Sequence, residues 1–242
     1  MKRFCIGPGF LSPSAKILLR RSCSAFSRLE LLCVITTLVM LFGLGLPTLA
    51  IQRNRSDRAQ CIGNLRRLGQ SFLSWSEDHR NEFSFRVASA LGGSNGKTTV
   101  AEHLAVLSNY LDSPRLLTCP ATIRLAASSF SALRDTNIAY ALLVHAVPDR
   151  QRTILAADWD LQGGSQNSCN VAGKLVVDAF VGTDGLPESF TGFWSSTNHM
   201  AWGQILLSDG SVQSGDSWSL RQAMALSSFE GDGTTHALKP KQ

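Results

Sequence analysis

The longest apolar stretch of the chain runs from Leu31 to Ile51, 21 residues without a charge. At a helical rise of about 1.5 Å per residue it covers roughly 31 Å, close to the roughly 30 Å hydrocarbon core of a bilayer. Leu, Ile, Val and Met dominate it, with Gly43, Gly45 and Pro47 near its far end. Gly and Pro are more frequent in membrane helices than in soluble ones, so the pattern predicts a membrane-inserting helix. Pro47 has no amide hydrogen and clashes with the preceding turn, which predicts a kink there. Glu30 sits at the mouth of the run. A carboxylate placed centrally in such a helix costs about 2.5–3.5 kcal/mol, and less near an interface, so its position asks for a functional reason.

Beyond Ile51 the pattern becomes amphipathic. Arg58, Ile62, Leu65, Leu68, Phe72 and Trp75 recur at spacings of three and four, as a helix with one buried stripe requires. Unbroken from Phe26 to near Asp78, this helix would be about 80 Å long. The remainder reads as mixed. Val100, Leu104, Leu107 and Leu111 form a helical stripe, with Thr99 and Glu102 in capping-box positions. Short β-rich runs follow at Arg115 to Cys119, Thr153 to Ala157 and Lys174 to Phe180. Gln204 to Leu207 leads through Asp209-Gly210 into Ser211-Val212, a predicted hairpin. Ser219 with Gln222 caps a last short helix through Met224, and the polar tail from Gly231 to Gln242 is expected to be mobile.

Charge and cysteines refine this picture. Lys2, Arg3, Lys16, Arg20, Arg21 and Arg28 precede the apolar run with no acidic residue before Glu30, favouring a cytoplasmic N-terminus. The formal charge of +5 is concentrated there and around the run, where basic residues meet lipid headgroups. Past Arg80 no basic patch interleaves with aromatics, so nucleic acid is not an expected partner. Of six cysteines, Cys61, Cys119 and Cys169 lie beyond the apolar run. In an oxidising compartment they permit one bridge and one leftover thiol, and the sequence does not choose between the pairings.

Phe26-Ser27-Arg28-Leu29-Glu30 followed by the apolar run resembles a type IV pilin or type II secretion pseudopilin precursor, with Glu30 fifth and Pro47 twenty-second after the cleavage point. Cys61-Ile62-Gly63-Asn64-Leu65-Arg66-Arg67-Leu68-Gly69 is similar to the Cys-x-x-Asn-Leu-Arg-x-Leu-Gly segment of planctomycete and verrucomicrobial pseudopilin-like proteins. The similarity continues through Leu107 to Leu111, Leu117-Thr118-Cys119-Pro120, His199 and Ile205 to Val212. It implies cleavage between Ala25 and Phe26 by a prepilin peptidase, N-methylation of Phe26, and pairing of Glu30 with a neighbour's amine during assembly. Ala25 stands where the family usually has Gly, and Arg28 where it has an apolar residue. The implied partners are like subunits in a homo-oligomer, other pilin-like subunits, an inner-membrane assembly platform with its ATPase, and membrane lipid. No cofactor is implied, although some pseudopilins hold calcium in a C-terminal loop; no residues here are assigned to it.

Enzyme motifs are weak by comparison. Gly93-Ser94-Asn95-Gly96-Lys97-Thr98-Thr99 resembles the nucleotide loop of Mur-type ligases, but Leu91 stands where a Gly is needed and no buried strand precedes it. His199 and Asp209, with Asp158 and Asp160, are the candidates for a metal or acid/base set; no HExxH or EF-hand loop supports them. The expected architecture is therefore α+β and pilin-like. A leader (1–25), a transmembrane helix (26–51) and its amphipathic continuation (52–80) precede a periplasmic domain (81–230) and a flexible tail (231–242), the long helix packing on a small antiparallel sheet. The expected product is a filament subunit and not an enzyme, single-pass in the inner membrane with the domain periplasmic or in an extracellular filament. The alternatives are a binding protein or enzyme anchored by an uncleaved helix, and a secreted domain beginning near Ile51.

Overall fold

The structure is a computed structural model that describes residues 27–169, 175–180, 186–195, 201–230 and 235–241; the side chains of 44–51, 168, 175–177 and 229–230 are not among those described. The chain divides into two units, Met1–Thr48 and Leu49–Gln242. Helix α1 (Arg28–Asp78) runs through both. Its first turn is closed by a capping box: the Glu30 amide donates to Ser27 Oγ and the Ser27 amide donates to the Glu30 carboxylate, each at 3.1 Å. The hydroxyls of Thr36 and Thr37 donate back to the Leu32 and Val34 carbonyls at 3.0 and 2.9 Å. At the other end Arg80 and Asn81 adopt positive φ, and the Asn81 amide donates to the Ser76 carbonyl, turning the chain off the helix.

Within the second unit, the segment Cys61 to Gly69 shows why its residue types recur at that spacing. Cys61 is bridged to Cys119. One turn on, Asn64 Nδ2 donates to the Thr118 carbonyl at 2.9 Å. Leu65 and Leu68 are fully buried. At Gly69 an added Cβ would lie 2.7 Å from Leu206 Cδ1 and 3.2 Å from Gly210 Cα, so a larger residue would have to push the Leu206 side chain aside. Farther along, the Ser71 hydroxyl donates to the Tyr110 carbonyl at 2.8 Å, and Phe72 meets Phe83 and Phe85 edge-on. The stripe Cys61–Trp75 shares one buried cluster with the connection between Phe83 and Cys119, which includes the short helix α2 (Val100–Ala105).

The dominant element is a sheet of seven strands. The strands are β1 (Tyr140–Leu143), β2 (Ile154–Asp158), β4 (Ser165–Cys169), β5 (Leu175–Phe180), β7 (Gly203–Leu207), β8 (Val212–Gly215) and β9 (Thr235–Leu238). A separate two-stranded sheet pairs β3 (Leu161–Gln162) with β6 (Phe193–Trp194). The large sheet has the order β4-β5-β9-β1-β2-β7-β8 with every pairing antiparallel. Its middle strands are apolar on both faces, which explains their lack of alternation. Leu142, Leu155, Ala156, Leu206 and Leu238 join the cluster containing Leu65 and Phe72. Leu143, Ile154, Ala157, Ile205, Leu207 and Ala237 join Leu220 and Met224 of α3 (Ser217–Glu230). The β2–β7 register shifts between Ile154 and Ala156, which puts the neighbours Leu155 and Ala156 in the same cluster.

These observations correct the expected architecture. The domain is β-rich and built on a seven-stranded sheet, in place of a pilin-like α+β fold with a long apolar helix laid on a small one. Among the described residues no helix is long and apolar enough to cross a membrane. This overturns the expected single-pass inner-membrane placement with a cytoplasmic N-terminus and periplasmic domain. Two local corrections follow. Arg115 to Cys119 is a 3₁₀ turn over Pro114–Leu117, started by Ser113 and by a proline that fixes φ. Thr235–Leu238, inside the segment expected to be a mobile tail, is a buried interior strand of the sheet, between β5 and β1.

Candidate functional site

Two places combine chemistry with unusual exposure or burial. The first is the start of α1. Ala25 and Phe26, the expected processing pair, lie outside the described residues, and Pro47 is helical with its side chain undescribed. From Leu29 to Phe42, ten large apolar side chains are 45–75% exposed: Leu29, Leu31, Leu32, Val34, Ile35, Leu38, Val39, Met40, Leu41 and Phe42. They fall on every side of the helix. Glu30, expected to act in assembly, is exposed and engaged with Ser27 in the capping box.

The second place is a buried set of donor atoms that sequence reading missed. His145 follows β1, Cys169 closes β4 and His236 lies in β9, paired across from Ala179. His145 Nε2 is 3.1 Å from Cys169 Sγ and 2.7 Å from His236 Nδ1, and all three donor atoms lie within 4.8 Å of one another. The two imidazoles meet edge to face with centroids 4.5 Å apart. All three residues are buried. Of the cysteines beyond the apolar run, Cys61 and Cys119 form the disulfide and Cys169 keeps its thiol. No spacing motif marks these residues, because the topology inserts the last strand beside β1.

The residues singled out from sequence behave differently. Asp209 is exposed and receives the Ser211 amide at 2.8 Å, a turn role that Gly210 completes with φ of 81°. His199 lies outside the described residues. Asp158 and Asp160 do come together beneath β7: Asp158 Oδ2 accepts the Gln204 amide at 2.9 Å and Asp160 faces the Ser195 hydroxyl. Burial, with the charge of Asp160 second, holds the Asp158 carboxyl well above the ordinary range; burial raises Asp160 to about 6. Among the described residues, Asp158 Oδ1, Asp160 Oδ1, Trp194 Nε1 and the Gln204 side chain have no hydrogen-bond partner. Desolvation thus disfavours the charged form of both carboxyls, and of Asp158 most.

The Gly93–Thr99 loop spends its hydrogen-bonding groups on the chain itself. A Cβ at Gly93 would lie 2.0 Å from the Val87 carbonyl, and Ser94 Oγ is taken by His103 Nδ1 at 2.7 Å. The amides of Thr98 and Thr99 both donate to the Glu102 carboxylate at 3.2 Å, while the Thr99 hydroxyl donates to it at 2.9 Å. These bonds, that from the Thr99 hydroxyl foremost, lower the Glu102 pKa. An anion of the chain itself sits where a nucleotide's would be needed.

Comparison of the chain with protein-family models, with curated proteins and with solved structures finds no match in any of the three.

Proposed function

We propose that this chain is the structural subunit of a type IV pilus-like or pseudopilus filament, in which copies associate through the first part of α1. The observation that carries the reading is the all-round exposure of ten large apolar side chains between Leu29 and Phe42. A helix apolar on every side is stable only when covered on every side. Covering what remains exposed on those side chains is worth on the order of 10 kcal/mol, whereas bringing two chains together costs about 4–15 kcal/mol. One neighbour covers only one flank and so barely offsets that cost. Several neighbours around each helix, as in the core of a filament, exceed it. The resemblance around Phe26 to Glu30 adds processing between Ala25 and Phe26, methylation of Phe26, and a prepilin peptidase and assembly platform with its ATPase as partners.

Glu30 supplies register in this reading. Its carboxylate is exposed at the edge of the apolar surface, and a neighbour's amine is the group that would neutralise it. Sedimentation of the full chain against a Leu32→Asp/Val39→Asp double variant tests the proposal. The parent is expected to form large, fast-sedimenting species and the variant to remain a monomer. Equal sedimentation of the two refutes it.

A further inference from the structure

We infer that His145, Cys169 and His236 form a binding site for a divalent transition-metal ion of the zinc class. Three lone-pair donors from segments distant in the chain converge on one buried point. Hydrogen bonding alone serves this geometry poorly. His145 Nε2 faces both Cys169 Sγ and His236 Nδ1 at hydrogen-bond distance. A neutral imidazole nitrogen carries either one proton or one lone pair, so it makes one good bond here and leaves the other contact weak. A cation accepts all three lone pairs at once.

The donor set also names the ion. Thiolate plus two imidazoles is a borderline-soft set, which favours zinc over calcium or magnesium. Zinc bonds of about 2.0–2.3 Å in tetrahedral array separate donors by roughly 3.3–3.7 Å. The 2.7 and 3.1 Å separations therefore need to widen by about half an ångström, within reach of side-chain rotation. The thiol gives up its proton when the ion binds, so binding releases one proton per chain from Cys169.

The position gives the ion a structural task. β9 is the last strand in sequence yet lies between β5 and β1. An ion held by His236 of β9, His145 after β1 and Cys169 of β4 would tie the final strand to the sheet it completes. This inference is independent of filament assembly and survives its failure.

The test is titration of the untagged full chain, with the Cys61–Cys119 bridge left intact, with cobalt(II), followed by zinc competition. One cobalt per chain, with a near-ultraviolet thiolate-to-cobalt band that zinc abolishes, is expected. Cys169→Ser should lose the band while keeping the parent's circular dichroism. If that variant does not fold, His145→Gln and His236→Gln take its place, each expected to weaken zinc by at least about tenfold. A folded parent without the band, a Cys169→Ser protein that retains it, or two His variants that bind like the parent overturns the assignment. Zinc should also raise the parent's melting temperature relative to the chelated protein, and no rise counts against it.

Discussion

Removing the bridge between Cys61 and Cys119 should be among the most damaging changes available to the folded unit. The bridge joins residues 58 apart in sequence, fastening α1 to the segment that follows the Pro114 turn. Closing a loop of that length in the unfolded chain removes conformational entropy worth about 4 kcal/mol at 25 °C. The folded state loses less, because Asn64 still donates to Thr118 one turn away and keeps the two segments adjacent. A Cys61→Ala/Cys119→Ala variant should therefore fold, with native circular dichroism, but melt about 8–16 °C below the parent at the 2–4 °C per kcal/mol typical of this size. Thermal unfolding of the parent with and without reductant, beside the double variant, is the assay. The reduced parent and the variant should coincide. A variant within about 1 kcal/mol of the oxidised parent refutes the argument that loop closure stabilises this junction.

Further expectations follow from other sites. Between the ordinary carboxylate range and about pH 6 the folded chain holds a proton on Asp160 that the unfolded chain has released, so stability falls as pH rises. Burial lowers His103 to about 4, so between that value and its ordinary 6.5 stability instead falls as pH drops. Asp160→Asn removes the first slope, at most about 3 kcal/mol, and should steepen the loss of urea resistance on acidification; profiles parallel to the parent's would contradict this. Gly203→Ala would place a Cβ 2.3 Å from the Trp194 ring and should destabilise by about 1–3 kcal/mol in urea titration, with a neutral result counting against the packing described. Glu30→Gln preserves the capping box with Ser27 but removes the charge, whereas Glu30→Ala removes both. If charge sets the register, both variants should fail to assemble in electron micrographs, and normal filaments from the Gln variant would reduce Glu30 to a cap.

Legibility in the sequence followed the range of the interactions. The stripe from Leu65 to Trp75 and the Thr99–Glu102 cap depend on residues three or four apart, and both were readable as periodicity and spacing. The β7–β8 hairpin was readable because Asp209-Gly210 fixes its turn. β1 was missed because its burial on both faces leaves a continuous apolar run without alternation, and β9 because four residues after a polar segment carry almost no pattern. The last helix was placed too late: Asp216, which receives the Ser219 amide at 2.9 Å, is its cap. The His145–Cys169–His236 cluster was invisible for a topological reason, since its members meet only once the last strand enters the middle of the sheet. The width of the sheet was equally hidden, which is why a small one was expected. The apolar run was legible as a pattern, but a pattern does not distinguish a lipid-facing surface from one that faces other copies.

Cys33 offers the most direct test of the assembly claim, because it is a native, exposed thiol within the apolar surface of α1. The measurement is the rate of Cys33 alkylation, mapped by peptide mass spectrometry, as the concentration of the full chain is raised from dilute monomer into the assembling range. If copies pack through this surface, Cys33 should react readily when dilute and become protected in step with the appearance of large species. A Cys33 thiol that reacts equally fast in dilute and assembled protein would contradict the account.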